Sequence, residues 1–217
     1  MVNRAETTKG ETIQDWIEAR NPNQESGNKE FDDRSGIVHR LDKDTSGILV
    51  IAKNPESFEK LKAQFKGRTT LKKYLALVHG IVEPPVGTIN SPIERSPFNR
   101  MHYGVFPGGR EAITQYKVLH NFHFSIFNSQ FSLLELFPHT GRTHQIRVHM
   151  KYLNHPVVSD PIYGGRKNSQ NDLKWCPRLF LHATELQISH PETGEMLKLC
   201  SPLPGDLDKS LATLKMD

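Results

Sequence analysis

Between Gly36 and Gly47 the chain reads Gly-Ile-Val-His-Arg-Leu-Asp-Lys-Asp-Thr-Ser-Gly, which puts an acid on a basic, glycine-bounded turn. Asp42 stands between Arg40 and Lys43, and neighbouring positive charge favours a carboxylate's ionised form. An ionised, positioned aspartate can act as base, nucleophile or electrostatic stabiliser. The ordinary alternative is an exposed turn in which Asp42 and Asp44 are merely solvated, because one acid in a loop carries little information by itself.

Further segments hold residues that could serve the same chemistry. Residues 72–80, Lys-Lys-Tyr-Leu-Ala-Leu-Val-His-Gly, read as a strand closed by glycine and carry Tyr74. Residues 140–149, Thr-Gly-Arg-Thr-His-Gln-Ile-Arg-Val-His, carry Arg142 and Arg147. An Asp160-Pro161-Ile162-Tyr163-Gly164 turn follows, then Arg178-Leu179-Phe180-Leu181-His182-Ala183-Thr184-Glu185-Leu186 with His190-Pro191 beyond it. Together with the Asp42 turn, and in this order, these segments resemble the RluA class of pseudouridine synthases from about Ser35 to Pro204.

That resemblance implies an isomerase that converts uridine to pseudouridine in ribosomal or transfer RNA. It implies that Asp42 is the essential acid, that Tyr74 lies against the target base, and that Arg147 pairs with Asp42. Apolar residues of the late strand line the family's pocket; Leu181 is one candidate, and which leucine touches the base stays open. Arg40 is a candidate to fill the space that a flipped base leaves, and Lys72 and Arg142 are candidates to hold RNA. The chemistry involves no redox change, so no cofactor and no metal are expected. A monomer in the cytoplasm is expected, with RNA as partner and no membrane.

Composition sets the frame. A formal charge of +4 is too small to argue for nucleic acid by itself, so distribution matters more. From Lys60 to Val82 there are six Lys/Arg and no acid, and from His139 to Leu153 Arg142, Arg147 and Lys151 also stand without one. Such stretches suit a surface that follows phosphates, or equally a solvated face. Cys176 and Cys200 lack CxxC spacing and are expected as free thiols. No apolar run approaches the roughly 18 residues of a membrane span, and Met1-Val2-Asn3-Arg4 does not open a signal peptide. His139, His144, His149 and His155 cluster in sequence, but their intervals match no common zinc spacing.

The elements that must position these residues follow from pattern. A polar N-terminal segment, 1–35, has one amphipathic stretch over 12–19 and a loop over 21–34. Residues 48–52 read as a strand, and Asn54-Pro55 caps a helix carrying Phe58, Leu61 and Phe65, stopped by Gly67. Residues 90–109 read as a loop-rich insertion with Arg95, Arg100, His102 and Arg110 able to reach RNA. Strands over 114–119 and 131–137 flank an Asn128-Ser129 turn, a helix covers 143–153, and a closing hairpin covers 180–189 and 196–199. Many strands with two clear helices imply an α+β fold, with a large mixed, mainly antiparallel sheet flanked by helices and loops. One catalytic domain is expected over 36–204, with a tail over 205–217.

Two departures from the family pattern stand out. No counterpart of the N-terminal S4-type RNA-binding domain of many relatives is read, and Val2-Asn3-Arg4 resembles the segment just past the turn that opens the family's catalytic domain. A short natural variant and an N-terminally incomplete sequence are both compatible with that start. The competing function on the same fold is a catalytically inactive RNA-binding or assembly factor, which the joint presence of Asp42, Tyr74 and Arg147 argues against. A metal-dependent nuclease using Asp42 and Asp44 would want further clustered carboxylates.

Overall fold

The computed structural model describes residues 10–20, 26–99, 101–124 and 129–216. In chain order the elements are α1 (Ile13–Arg20), α2 (Lys29–Arg34), β1 (Ser46–Gly47), α3 (Pro55–Gly67), β2 (Leu71–His79), β3 (Val86–Asn90), β4 (Ile93–Arg95), β5 (Tyr103–Val105), β6 (Ile113–Phe124) and β7 (Ser129–Pro138). Then follow α4 (Gln145–Tyr152), α5 (Arg166–Asp172), β8 (Leu181–Ser189), β9 (Met196–Cys200), α6 (Gly205–Ala212) and β10 (Lys215–Met216). The segment at Val2-Asn3-Arg4, the Asn128 end of the β6–β7 turn and Arg100 lie outside the described residues. Contacts divide the chain into two compact units.

The first unit contains residues up to Asp44, 48–71 and 186–200. Its centre is α3, which the sequence specifies twice. Asn54 caps it by accepting the Ser57 N–H at 2.8 Å, with Pro55 at its first turn. Phe58 and Leu61 then fall on one buried face against Phe31, Val38, Ala52, Leu186 and Ile188. The left-handed residue that ends the helix is Arg68, one position beyond the expected Gly67. Residues 29–34 form α2 instead of loop, because Asn28 accepts the Phe31 N–H at 3.0 Å and Phe31 is buried. The far half of β8 belongs to this unit, where β9 pairs with it as the closing hairpin expected.

The expected strand over 48–52 does not form, apart from an isolated bridge between Ile37 and Ile51. Its alternation is used differently: Ile48 and Val50 pack in one apolar cluster, Leu49 and Ile51 in another. The run is therefore partly buried on both sides, but its backbone bonds go elsewhere. Ala52 N–H bonds the Gly36 carbonyl and Val50 N–H bonds the His39 ring.

The second unit contains residues 45–47, 72–185 and 201 onward. Its sheet runs β1-β8-β2-β7-β6-β10, with β3 also paired to β6. β1 is parallel to β8, whereas the β2–β7, β6–β7, β3–β6 and β10–β6 pairs are antiparallel. The sheet is thus mixed and mainly antiparallel, as the sequence implies. Side chains alternate across it. Ala76, Val78, Leu134 and Leu136 face a core closed by Ile146 and Met150 of α4, and Leu77, Phe131 and Leu133 face one closed by Leu207 of α6. The last residues are therefore part of the fold: truncating fully buried Leu207 to alanine should cost about 2–5 kcal/mol. Within the expected insertion over 90–109, β4 and β5 pair antiparallel.

Candidate active site

Arg40 and Asp42 lie in the first unit, on the turn between Ile37 and Ser46. Arg40 is exposed and Asp42 half-buried. The turn is clamped at its base by backbone. Gly36 has φ 75°, and a Cβ there would collide with the Ala52 carbonyl, so only glycine fits. His39 stacks on Phe65 with ring centroids 4.5 Å apart, and its Nε2 accepts the Val50 N–H at 2.9 Å. That bond requires Nε2 to be without its proton.

Just past Asp42 the chain enters the second unit as β1, whose Ser46 and Gly47 register with His182 and Ala183. Gly47, at φ 116°, has no room for a Cβ against the Ala183 backbone. Ser46 Oγ lies 2.9 Å from His182 Nδ1, and His182 Nε2 lies 3.2 Å from the Ser201 carbonyl. The carbonyl can only accept, so Nε2 carries the proton and the Ser46 hydroxyl donates to Nδ1. Arg178 Nη1 donates to the same hydroxyl at 3.1 Å while its Nε and Nη2 hold Asp206 at 2.6 and 3.0 Å. Burial pushes the His182 pKa below its ordinary value; the carbonyl bond opposes this and the Arg178 charge reinforces it. Thr45 Oγ1 is buried without a hydrogen-bond partner.

Tyr74, Lys72, Arg142, Arg147 and Leu181 all lie in the second unit. Tyr74 stands opposite Leu136 on β7 and packs, partly buried, on the cluster that contains Leu181 and Ile146. Leu181 itself is a core residue, buried in the same cluster as Leu179, Ile146 and Met150. Lys72 Nζ bonds the Thr140 carbonyl at 3.3 Å, and Arg142 Nε bonds the Glu111 carbonyl at 2.9 Å. Gln145, at the start of α4, ties this loop together. Its Oε1 accepts from the Thr140 hydroxyl and the Arg142 N–H, and its Nε2 donates to Ile113 and Thr114.

Arg147 is the most constrained of these residues. It is buried on α4 and clamps Asp160 through Nε and Nη2 at 2.7 and 2.8 Å. A buried arginine demands an acid. The family resemblance points to Asp42 as its partner; Asp160, which holds it here through two hydrogen bonds, stands in the sequence only as part of a turn. Asp160, Tyr163, His182, Ser46 and Arg178 are accordingly the residues that motif reading left without roles.

The basic stretches narrow. Lys62 is paired with Glu30 and Glu59, Lys60 with Glu56, and Lys73 with Glu135 and Glu185. Burial opposes the Lys73 charge, yet its two carboxylates raise its pKa above the ordinary value. The cations that look unopposed are thus answered by Glu56 and Glu59 just upstream and by Glu30, Glu135 and Glu185 from farther along the chain. Among the described residues no group of three His, Cys, Asp or Glu is placed to hold a metal, and no helix is long and apolar enough to cross a membrane.

Residues 5–152 match the family described as RNA pseudouridylate synthase. The chain is 44% identical over 182 residues to an uncharacterized RNA pseudouridine synthase of Chloroflexus aurantiacus, covering 84% of this chain and 54% of that protein. It is 41% identical over 192 residues to ribosomal large subunit pseudouridine synthase D of Pseudomonas aeruginosa, covering 85% of this chain and 58% of that one. The chain thus spans little more than half the length of these curated relatives. Among solved structures, human RNA pseudouridylate synthase domain containing 1 superposes with a TM-score of 0.75 at 30% identity, over 95% of this chain and 79% of that one.

Proposed function

Because the chain belongs to the RNA pseudouridylate synthase family, we propose that it isomerises specific uridines in structured RNA to pseudouridine. Relatives named for the ribosomal large subunit make ribosomal RNA the first substrate to test, with transfer RNA second. The reaction breaks the N1–C1′ bond, turns the uracil and rejoins it through C5, from which a proton leaves. Nothing is oxidised or reduced, so positioning and electrostatics suffice.

In this reading Asp42 is the anionic group beside the reacting sugar and base. Tyr74 stacks on the uracil while it is detached, and Arg147 donates hydrogen bonds that orient Asp42. A uridine must leave its stack to be reached, at a cost of a few kcal/mol that loops and single strands reduce. Arg40, exposed beside the turn, would occupy the vacated space, while Lys72 and Arg142 would hold the strand. Leu181 would act from beneath, as packing under Tyr74.

The observation that carries the reading is the joint presence, in family order, of Asp42, Tyr74 and Arg147 in a chain whose family match covers most of it. Mass spectrometry of chemically tagged pseudouridine, in RNA from cells with and without this gene, tests it. At least one uridine should lose its modification with the gene. An identical pseudouridine map in both cells would favour the inactive assembly factor.

A further inference from the structure

Asp160 is fully buried, a position in which a carboxylate is costly unless every lone pair is answered. Here they are. Oδ2 accepts from Arg147 Nε at 2.7 Å, and Oδ1 accepts from Arg147 Nη2 at 2.8 Å and from the N–H groups of Ile162 and Tyr163 at 2.8 and 2.9 Å. Two of the four donors are backbone, so the carboxylate is fixed by the turn that carries it. Its own carbonyl accepts from Gly164 N–H and Ser169 Oγ, which fixes the turn.

The guanidinium inherits that rigidity. A two-bond fork sets its plane as well as its distance. Tyr163 adds a second surface, with its ring centroid 5.1 Å from Arg147 Cζ. The Tyr163 hydroxyl accepts the Tyr103 N–H at 3.0 Å and lies 2.9 Å from His144 Nδ1, so the ring is held in turn. Stability alone is a weak reason for such a pair, since well-packed apolar residues usually serve a buried site as well or better. What apolar residues cannot supply is a donor with a fixed direction.

We propose that Asp160 is the positioning residue for Arg147: it fixes the guanidinium plane, so Arg147 serves the reaction as an oriented donor rather than a mobile cation. The proposal rests on the reading that Arg147 serves uridine isomerisation. It adds that the direction of the Arg147 donors, and not their charge alone, matters to that reaction.

The test uses the full chain and one RNA tritiated at uracil C5, with single-turnover rate, RNA affinity and the Arg147 Nε–H signal in proton–nitrogen correlation spectra as readouts. Asp160→Asn keeps shape and removes charge. It should lower the rate by about 10²-fold, the size expected of a small misplacement of a reacting group. RNA affinity should be unchanged, and the Arg147 signal should broaden or vanish. Asp160→Glu keeps charge and loses position, so it too should be slow with affinity intact. If Asp160→Asn fails to fold, Asp160→Glu carries the test. A wild-type rate in either folded variant, or rate and affinity falling together, overturns the proposal. If the wild-type chain releases no tritium, the functional reading fails separately, and the seat is judged on the spectrum: a sharp, unmoved Arg147 signal in the variants overturns it.

Discussion

The Asp42 turn in the first unit is held mainly by main-chain geometry, and Arg147 in the second by a buried ion pair. Around Asp42 the restraints are the left-handed Gly36, the Gly36–Ala52 hydrogen bond and the His39 ring under the Val50 N–H. Around Arg147 they are a buried carboxylate, two N–H groups aimed at that carboxylate and an aromatic ring. Asp42 is half-buried on its turn, which suits the proposed role of a group that meets substrate. The arginine is desolvated and prepared in advance, as an oriented donor needs to be. The two arrangements should therefore break in different ways.

The largest effect should come from Arg147→Ala, which leaves the Asp160 charge buried without its partner. Denaturant unfolding should show a loss of about 3–5 kcal/mol, together with loss of activity. Arg147→Lys keeps the charge but not the fork, so both losses should be smaller. Equal stability in wild type and Arg147→Ala would mean that the seat is solvated and the contrast between the regions is wrong.

Gly36→Ala probes the other arrangement. The left-handed backbone alone should cost roughly 1–3 kcal/mol, with the Ala52 carbonyl adding to it. Because the strain falls at the base of the turn, RNA affinity should persist while the rate drops. A variant as stable and active as wild type would show that the turn is not clamped there.

A smaller effect concerns pH. His149 and His182 both have pKa values lowered from the ordinary 6.5, chiefly by burial. The unfolded chain therefore takes up protons near pH 6.5 that the folded chain refuses. Melting temperature should fall as pH drops below about 6.5. His149→Gln should flatten the decline, since the amide can still donate to the Ser91 carbonyl that His149 Nε2 now reaches at 3.0 Å. A melting temperature flat from neutrality to pH 5 would contradict the burial of these rings as neutral groups.

The smallest concerns two lysines on α3. Lys66 is exposed, whereas Lys62 already holds Glu30 and Glu59. Lys66→Gln should flatten the salt dependence of RNA binding by up to about one unit of slope, and Lys62→Gln should leave it alone. Equal changes would show that Lys62 leaves its carboxylates for phosphate.

These contrasts explain what the sequence could reveal. Helix α3 was legible because its cap, its proline and its apolar spacing agree, and the β8–β9 hairpin because Pro191 to Gly194 punctuates it. Helix α2 was not, since six residues with one buried phenylalanine show no period. The 48–52 run misled because alternation was real but hydrogen-bond partners came from a loop and a histidine ring. Glu30, which answers Lys62, and the acids that answer Lys73 and Arg147 lie elsewhere in the chain, where spacing says nothing. Motif reading named Asp42, Tyr74 and Arg147 as actors; what holds Arg147 came only with tertiary structure.

The most direct test of the account is tritium release from RNA labelled at uracil C5, with purified wild-type chain and Asp42→Asn side by side. Rejoining through C5 expels that hydrogen, so wild type should release tritium in step with pseudouridine formed. Asp42→Asn, which keeps shape and removes charge, should bind the RNA and release none. Turnover by the asparagine variant would contradict the central role given to Asp42.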